Sequence, residues 1–326
     1  MDQATRLRRR EEARRRVRRQ RQLALAALVG LIALGAGVVV LLGGGGSGGV
    51  SSAAEGATAK AAPKPAELPR GGRTIFPDYR VVAFYGAPQD DELGALGIGT
   101  PDQATAKLEK QARPYGGRGR KLLPALELIA VVAAGAPHTD QKYRWRESGG
   151  IIRRYLRAAR RDKALLLLDI QPGRADFMSE VRRLEPFLRQ PDVSLALDPE
   201  WHVGPTEVPG QVIGSVDASE VNQVTDYLAG IVRAGDLPEK LLVIHQFTDN
   251  MVRNKQLLHQ PPGIALTLNV DGFGTAPEKV SKYRLFAHQR PRAHRGFKLF
   301  YKEDSGLMSP GSVMRLRPRP ELIVYE

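Results

Sequence analysis

The sequence contains no cysteine. This absence excludes disulfide bonds, cysteine-based zinc sites, catalytic thiols and lipid attachment to an N-terminal cysteine, while it leaves the redox compartment open. No glycine-rich segment follows a predicted strand with phosphate-binding spacing. With 326 residues, the chain is long enough for one large domain of α/β-barrel size or for two smaller domains.

The positive charge is concentrated at one end of the chain. The formal net charge is +14, and residues 1–21 contribute half of it, with ten arginines against three acidic residues. The remainder has the charge of an ordinary soluble domain, so we expect no nucleic-acid partner. The position of the arginines beside an apolar segment favours a role in membrane orientation or contact with anionic lipid.

Residues 23–42 form a run of twenty residues without a charge or a strongly polar group. As a helix this run would rise about 30 Å, which matches the hydrocarbon core of a bilayer. We therefore predict a transmembrane helix at 22–43 that follows a basic cytoplasmic tail at 1–21. The arginines place the N-terminus in the cytoplasm and the rest of the chain outside. A cleaved signal peptide, cut near the small residues 51–54, is the alternative.

Glycine, serine, alanine and proline dominate residues 44–72. Such a composition buries too little apolar surface to offset the entropy of ordering, so we predict a flexible linker. We therefore expect a single-pass protein of the cell membrane with an extracytoplasmic domain at 73–326.

Short apolar runs alternate with segments of helical period throughout this domain, which is typical of βα units around a parallel sheet. Eight strands are predicted, at 81–85, 126–133, 164–170, 193–197, 240–246, 264–270, 297–301 and 321–325. Seven helical segments are predicted between them, at 101–112, 150–161, 176–189, 217–233, 250–260, 275–289 and 305–315. The fold class is therefore α/β, a (β/α)8 TIM-type barrel lacking its last helix. An open doubly wound sheet is the alternative.

The stretch VSLALDPEWH at 193–202 ends a predicted strand with two carboxylates, Asp198 and Glu200. Alternation along a strand would point both side chains the same way. Asp169 and Gln171 repeat this spacing on the preceding strand, so these polar groups should converge at the barrel mouth. Repulsion between neighbouring carboxylates raises the pKa of one of them, so that this group keeps its proton. Acid catalysis of glycosidic cleavage requires such a proton donor.

We predict Glu200 as the catalytic acid and Asp198 as the group that orients it or raises its pKa, with Asp169 as the second choice of partner. Other residues at strand ends are candidates for substrate contacts: Tyr85, Gln171, Trp201, His202, His245, Gln246 and Asp271. Tyr85 and Trp201 could stack on a sugar ring. A simpler interpretation is that strands end in polar residues because the following turns favour them.

A metal site is the competing interpretation of the histidines. His202, His245 and Asp198 would make a plausible zinc set, but no His-x-x-x-His pair supports it. We therefore expect neither a metal nor a cofactor.

The segment 197–201, Leu-Asp-Pro-Glu-Trp, resembles the acidic strand end of barrel glycoside hydrolases such as family-18 chitinases and family-25 lysozymes. The resemblance implies that Asp198 and Glu200 are the catalytic carboxylates and that the substrate is a cell-wall or amino-sugar polysaccharide. The sequence departs from the chitinase pattern at Val193 and Ala196, where chitinases carry aspartates, and at Pro199 between the two acids.

Two hypotheses about function follow. One is a membrane-anchored, extracytoplasmic protein of glycoside-hydrolase type that acts on cell-envelope polysaccharide. The other is a non-catalytic barrel module that binds glycan or protein at the cell surface.

Overall fold

The computed structural model describes residues 65–326, apart from 89, 118, 290 and 291. The predicted basic tail, the predicted transmembrane helix and most of the predicted linker lie outside the described residues. Within the described part of the chain, no helix is both long and apolar enough to cross a membrane. Packing against the barrel begins before residue 73, because Leu68 is buried and the Tyr79 hydroxyl donates to the Gly71 carbonyl at 2.7 Å.

The described residues contain eleven β-strands: β1 (Tyr79–Gly86), β2 (Lys121–Ala133), β3 (Arg144–Arg146), β4 (Leu165–Ile170), β5 (Val193–Leu197), β6 (Val216–Asp217), β7 (Lys240–Gln246), β8 (Val252–Arg253), β9 (Ile264–Val270), β10 (His294–Leu299) and β11 (Leu322–Tyr325). Eight of them, all except β3, β6 and β8, form one parallel sheet. Its first strand, β1, pairs with both β2 and β11, so the sheet closes into a barrel. The predicted closed barrel is confirmed and the open sheet is excluded.

Six α-helices lie in the described residues: α1 (Pro101–Ala112), α2 (Gly149–Arg161), α3 (Phe177–Leu188), α4 (Ala218–Ala234), α5 (Ala276–Phe286) and a short α6 (Pro310–Val313). Side-chain caps begin several of them. Thr100 and Gln103 make a capping box at α1, and the Asp176 side chain accepts from the Ser179 amide at α3. These caps explain why five of the predicted helices begin within two residues of their predicted starts.

The helix predicted at 250–260 is wrong. Asn254 has a left-handed backbone with φ of 53°, which a continuing right-handed helix does not allow. Two 3-10 turns, Asp249–Met251 and Lys255–Leu257, flank β8, which pairs with β6. The segment predicted as a helix at 305–315 is helical only over the four residues of α6.

The strands bury side chains on both faces. Outward-facing residues such as Val82 and Phe84 pack against the helices. Inward-facing residues such as Leu167, Val243 and Val324 fill the lower part of the barrel. Each large apolar side chain so buried stabilises the fold by roughly 1.5–3 kcal/mol. Toward the carboxyl ends of the strands the inward positions become polar, and this change positions the candidate site.

Candidate active site

The upper interior of the barrel is lined by a polar layer with one residue from each barrel strand or from the position directly after it. We call this layer the polar ring; its members are Tyr85, Glu127, Asp169, Asp198, His245, Asn269, Lys298 and Glu326, all of them buried. Period-2 alternation along each strand explains the layer, since Leu241 and Val243 lead inward to His245. Asp271 follows β9 and joins the ring through His245 and Lys298.

Asp198 is held by three hydrogen-bond donors. Its Oδ2 accepts from Trp201 Nε1 at 3.0 Å, from Gln171 Nε2 at 3.4 Å and from the Tyr85 hydroxyl at 3.5 Å. The Tyr85 hydroxyl also lies 3.1 Å from Asp169 Oδ2. The structure thus brings together five residues that the sequence singled out, and Tyr85 bridges the two aspartates.

Glu200 is close to Asp198 for a different reason from the one predicted. The strand ends at Leu197, and Pro199–Trp201 form a 3-10 turn, so strand alternation does not apply to this pair. Burial raises the pKa of Asp198 well above its usual value, and repulsion from the Glu200 charge raises it further. Glu200 itself is only partly buried, so of the two carboxylates it is the more accessible.

Burial also raises the pKa of Asp169, to about 7. The positive charges of His245 and Lys298 oppose that rise, while the Glu127 charge adds to it. At neutral pH a substantial fraction of Asp169 therefore keeps its proton. The ring holds acidic groups that can carry protons at a pH where exposed carboxyl groups are fully ionised.

The His245 imidazole is bonded at both nitrogens. Nδ1 lies 3.0 Å from Asp271 Oδ2, and Nε2 lies 2.9 Å from Glu127 Oε1. Burial lowers the pKa of His245, but the Glu127 charge and the hydrogen bonds to Asp271 and Glu127 outweigh burial and raise that pKa well above its usual value. In this arrangement the imidazolium donates from both nitrogens.

Lys298 neutralises the other side of the ring. Its Nζ lies 2.8 Å from Glu326 Oε2 and 3.2 Å from Asp271 Oδ2. The same ammonium sits 3.7 Å from the centroid of the Tyr85 ring. The ammonium covers one face of Tyr85, and the His245 ring makes an edge contact with it at 5.7 Å. The Tyr85 hydroxyl is therefore the group through which this side chain joins the polar contacts of the ring, and its stacking on a sugar ring stays a prediction.

Two predicted site residues lie away from the ring. His202 Nδ1 lies 2.9 Å from the Ser215 carbonyl oxygen, and its ring packs against Phe177 of α3. Gln246 follows His245 on β7 and faces the opposite side of the strand, where its Nε2 donates to the Thr248 carbonyl at 3.1 Å.

The zinc set of His202, His245 and Asp198 is not assembled. Among the described residues, the set of three potential metal ligands that do lie within 4.8 Å of one another is Glu127, Asp169 and His245.

Sequence reasoning missed Glu127 and Lys298. Each is a charged residue with apolar neighbours on both sides in its strand, at a position that alternation turns inward. That pattern is the signal that could have found them, because a charge is rarely buried without a partner.

No family model matches the sequence, and no curated protein shows significant similarity to it. The resemblance to glycoside hydrolases therefore rests on the segment 197–201. The barrel adds little to it, because this fold supports many unrelated reactions.

Proposed function

We propose that the barrel mouth is the active site of a hydrolase that cleaves glycosidic bonds, with Glu200 as the proton donor and Asp198 as its buried partner. The observation that carries this proposal is the fixed Asp198 carboxylate. Three donors, from Tyr85, Gln171 and Trp201, hold it two residues before the more accessible Glu200. The pair lies at the carboxyl ends of the barrel strands, where TIM-barrel enzymes carry their active sites.

The electrostatics of the pair support acid catalysis. Two carboxyl groups that repel each other retain one proton at a pH where an isolated carboxyl group would lose it. Under this proposal the proton, held mainly by Asp198, passes by way of Glu200 to the leaving glycosidic oxygen. The carboxylate charge stabilises the oxocarbenium-like centre until water adds to it and returns a proton to the pair. Because Asp198 is buried and Glu200 is not, Glu200 is the member of the pair that would meet the substrate.

The proposed substrate class is cell-envelope polysaccharide. Support for this class comes from the sequence alone, through the predicted membrane span, the linker and the predicted orientation of the domain outside the cell. We propose a glycan and the membrane as partners, and no nucleic acid.

The test is release of reducing ends from a panel of cell-wall polysaccharides by the full-length chain. Glu200→Gln and Asp198→Asn should each lower the rate about 10²–10⁴-fold, which is the usual contribution of a general acid. Glu185→Gln is the matched control. Glu185 lies on α3, is bonded to Arg189 and to Tyr227 of α4, and does not belong to the polar ring, so this variant should keep full activity. Full activity in a folded Glu200→Gln variant would exclude the assigned role.

One observation favours a non-catalytic barrel that binds glycan or protein. The members of the polar ring are buried and pair largely with one another, as in the contacts of Lys298 with Asp271 and Glu326. For this alternative, calorimetry would detect saturable binding of an intact polysaccharide that the wild-type chain does not cleave.

A further inference from the structure

We propose that Glu127, Asp169 and His245 bind one divalent transition-metal ion, Mn²⁺ or Zn²⁺, inside the barrel. The three side chains come from β2, β4 and β7, so they approach one point from different parts of the barrel wall. This proposal concerns metal binding alone and does not depend on the hydrolysis of glycosidic bonds.

The spacing of the three groups suits a common ion. Each offers a ligand atom, and these atoms lie within 4.8 Å of one another. In a tetrahedral zinc site with bonds of about 2.0–2.2 Å, the ligand atoms lie about 3.3–3.6 Å from one another. Small side-chain rotations would therefore complete the coordination. All three residues are almost completely shielded from solvent.

A second observation is that two buried carboxylate oxygens lack a hydrogen-bond partner. These oxygens are Glu127 Oε2 and Asp169 Oδ1. The other oxygens of these carboxylates contact His245 Nε2 and the Tyr85 hydroxyl, so both groups face the barrel interior. A buried acceptor without a partner destabilises the native state, and more so when it is charged. A bound cation would remove that destabilisation.

The histidine is oriented as metal ligands usually are. Asp271 Oδ2 lies 3.0 Å from His245 Nδ1, which leaves Nε2 directed at Glu127. In metal sites, a carboxylate that accepts from one imidazole nitrogen fixes the ring and increases the basicity of the other nitrogen. Asp271 is therefore the positioning residue of the site. Metal binding would displace the proton from Nε2.

The polar ring contains more carboxylates than cationic side chains. Five buried carboxylates meet in the upper barrel, from Glu127, Asp169, Asp198, Asp271 and Glu326. Lys298 pairs with two of them, Asp271 and Glu326, on one side of the ring. On the other side, Glu127 and Asp169 face His245. With a neutral imidazole as the third ligand, these two carboxylates balance the charge of a dication, as a buried ion requires.

The ligand types select the ion. One imidazole nitrogen and two carboxylates suit Zn²⁺ with a water as its fourth ligand, or Mn²⁺ with additional waters. Calcium prefers six to eight oxygen ligands, more than this site supplies.

The experiment is isothermal titration calorimetry on the chelator-treated, full-length chain with MnCl2, ZnCl2 and CaCl2. We expect one equivalent of Mn²⁺ or Zn²⁺ and at least tenfold weaker binding of Ca²⁺. Glu127→Gln and His245→Asn should abolish that equivalent. Asp271→Asn should weaken it about 10–100-fold, the usual effect of removing a group that orients a metal ligand. His259→Asn is the control, because His259 pairs with Asp226 on the surface, and it should bind as the wild type does.

Three results would overturn the proposal. The first is that the wild type binds neither Mn²⁺ nor Zn²⁺ stoichiometrically. The second is that the His259→Asn substitution removes the binding, and the third is that the Glu127→Gln and His245→Asn variants bind the metal as fully as the wild type does. Circular dichroism and thermal unfolding without metal establish that each variant is folded. If neither ligand variant folds, the wild-type stoichiometry and Asp271→Asn decide the question. No substrate is present, so the outcome is separate from that of the hydrolysis assay.

Discussion

His245 Nε2 on β7 lies 2.9 Å from Glu127 Oε1 on β2, so the two strands are joined across the barrel by a buried, charged hydrogen bond. At this level of the barrel, polar contacts replace the apolar packing found below it. A buried ionic network of this kind is costly to break at one member, because the remaining charges stay buried without compensation. The same network fixes the positions of the side chains that we assign to the site.

The first prediction concerns Lys298→Met. Removal of the ammonium leaves Asp271 and Glu326 without their shared cation, so we expect a loss of about 3–5 kcal/mol in the free energy of unfolding. Urea denaturation at pH 7 measures this loss. Lys302→Met removes an exposed lysine that pairs with Asp91 and Glu92 and should change stability by less than about 0.5 kcal/mol. Equal effects of the two substitutions would contradict the assigned role of Lys298.

The second prediction concerns the hydroxyl of Tyr85. Tyr85→Phe keeps the ring but removes the hydroxyl that accepts from Gln171 and shares its single proton between Asp169 and Asp198. We expect a loss of about 1–3 kcal/mol in stability, because buried polar groups lose a partner. Tyr301→Phe is the control, since that hydroxyl contacts Gln111 at the surface and its loss should have little effect. A Tyr85→Phe variant as stable as Tyr301→Phe would show that the bridge is dispensable.

The sequence predicted the barrel because its strands are continuous apolar runs bounded by polar residues. The bounds of β7 and β9 match those predicted from the sequence. The failure at 250–260 has a local cause, since the left-handed conformation of Asn254 gives no periodic signal in the sequence.

The candidate site was predictable only in part. Asp169 and Asp198 lie at the ends of apolar runs, so the sequence identifies them as residues at strand ends. Glu127 lies within β2, where both faces of the strand are buried. A lone charge in such a strand indicates a buried polar position, but a strand buried on both sides shows no alternation of polarity. The sequence therefore does not reveal that Glu127 faces the barrel interior.

The third prediction is a pH dependence that arises at the opposite end of β7. Lys240 is fully buried and donates to the Gln190 and Val193 carbonyls, and burial lowers its pKa from 10.5 to about 7. Between these values the unfolded chain binds more protons than the native state, so the contribution of Lys240 to stability rises with pH. The slope is at most about 1.4 kcal/mol per pH unit.

Lys240→Met should remove this rise. The difference in unfolding free energy between wild type and Lys240→Met, measured in urea, should therefore grow in favour of the wild type from pH 7 to pH 9. Lys121→Met removes an exposed lysine at the start of β2 and should show no such growth. A constant difference for Lys240→Met would mean that its proton is not coupled to folding.

The last prediction tests how the Glu200 turn is held. The Gly214 amide donates to the Glu200 carbonyl at 2.7 Å, and a Cβ on Gly214 would collide with the backbone carbonyls of His202 and Pro199. Because backbone cannot yield as a flexible side chain does, Gly214→Ala should cost about 1–3 kcal/mol. It should also displace the turn and, under the proposed function, lower hydrolysis.

Gly230→Ala is the matched control for this substitution. Gly230 lies within α4 with open space around its Cβ position, so alanine there should stabilise the protein by about 0.5–1 kcal/mol. Urea denaturation and the reducing-end assay, applied to both variants, separate the effects on stability and activity. A Gly214→Ala variant with wild-type stability and activity would show that the turn tolerates displacement. The carboxylate of Glu200 would then not depend on this backbone contact for its position.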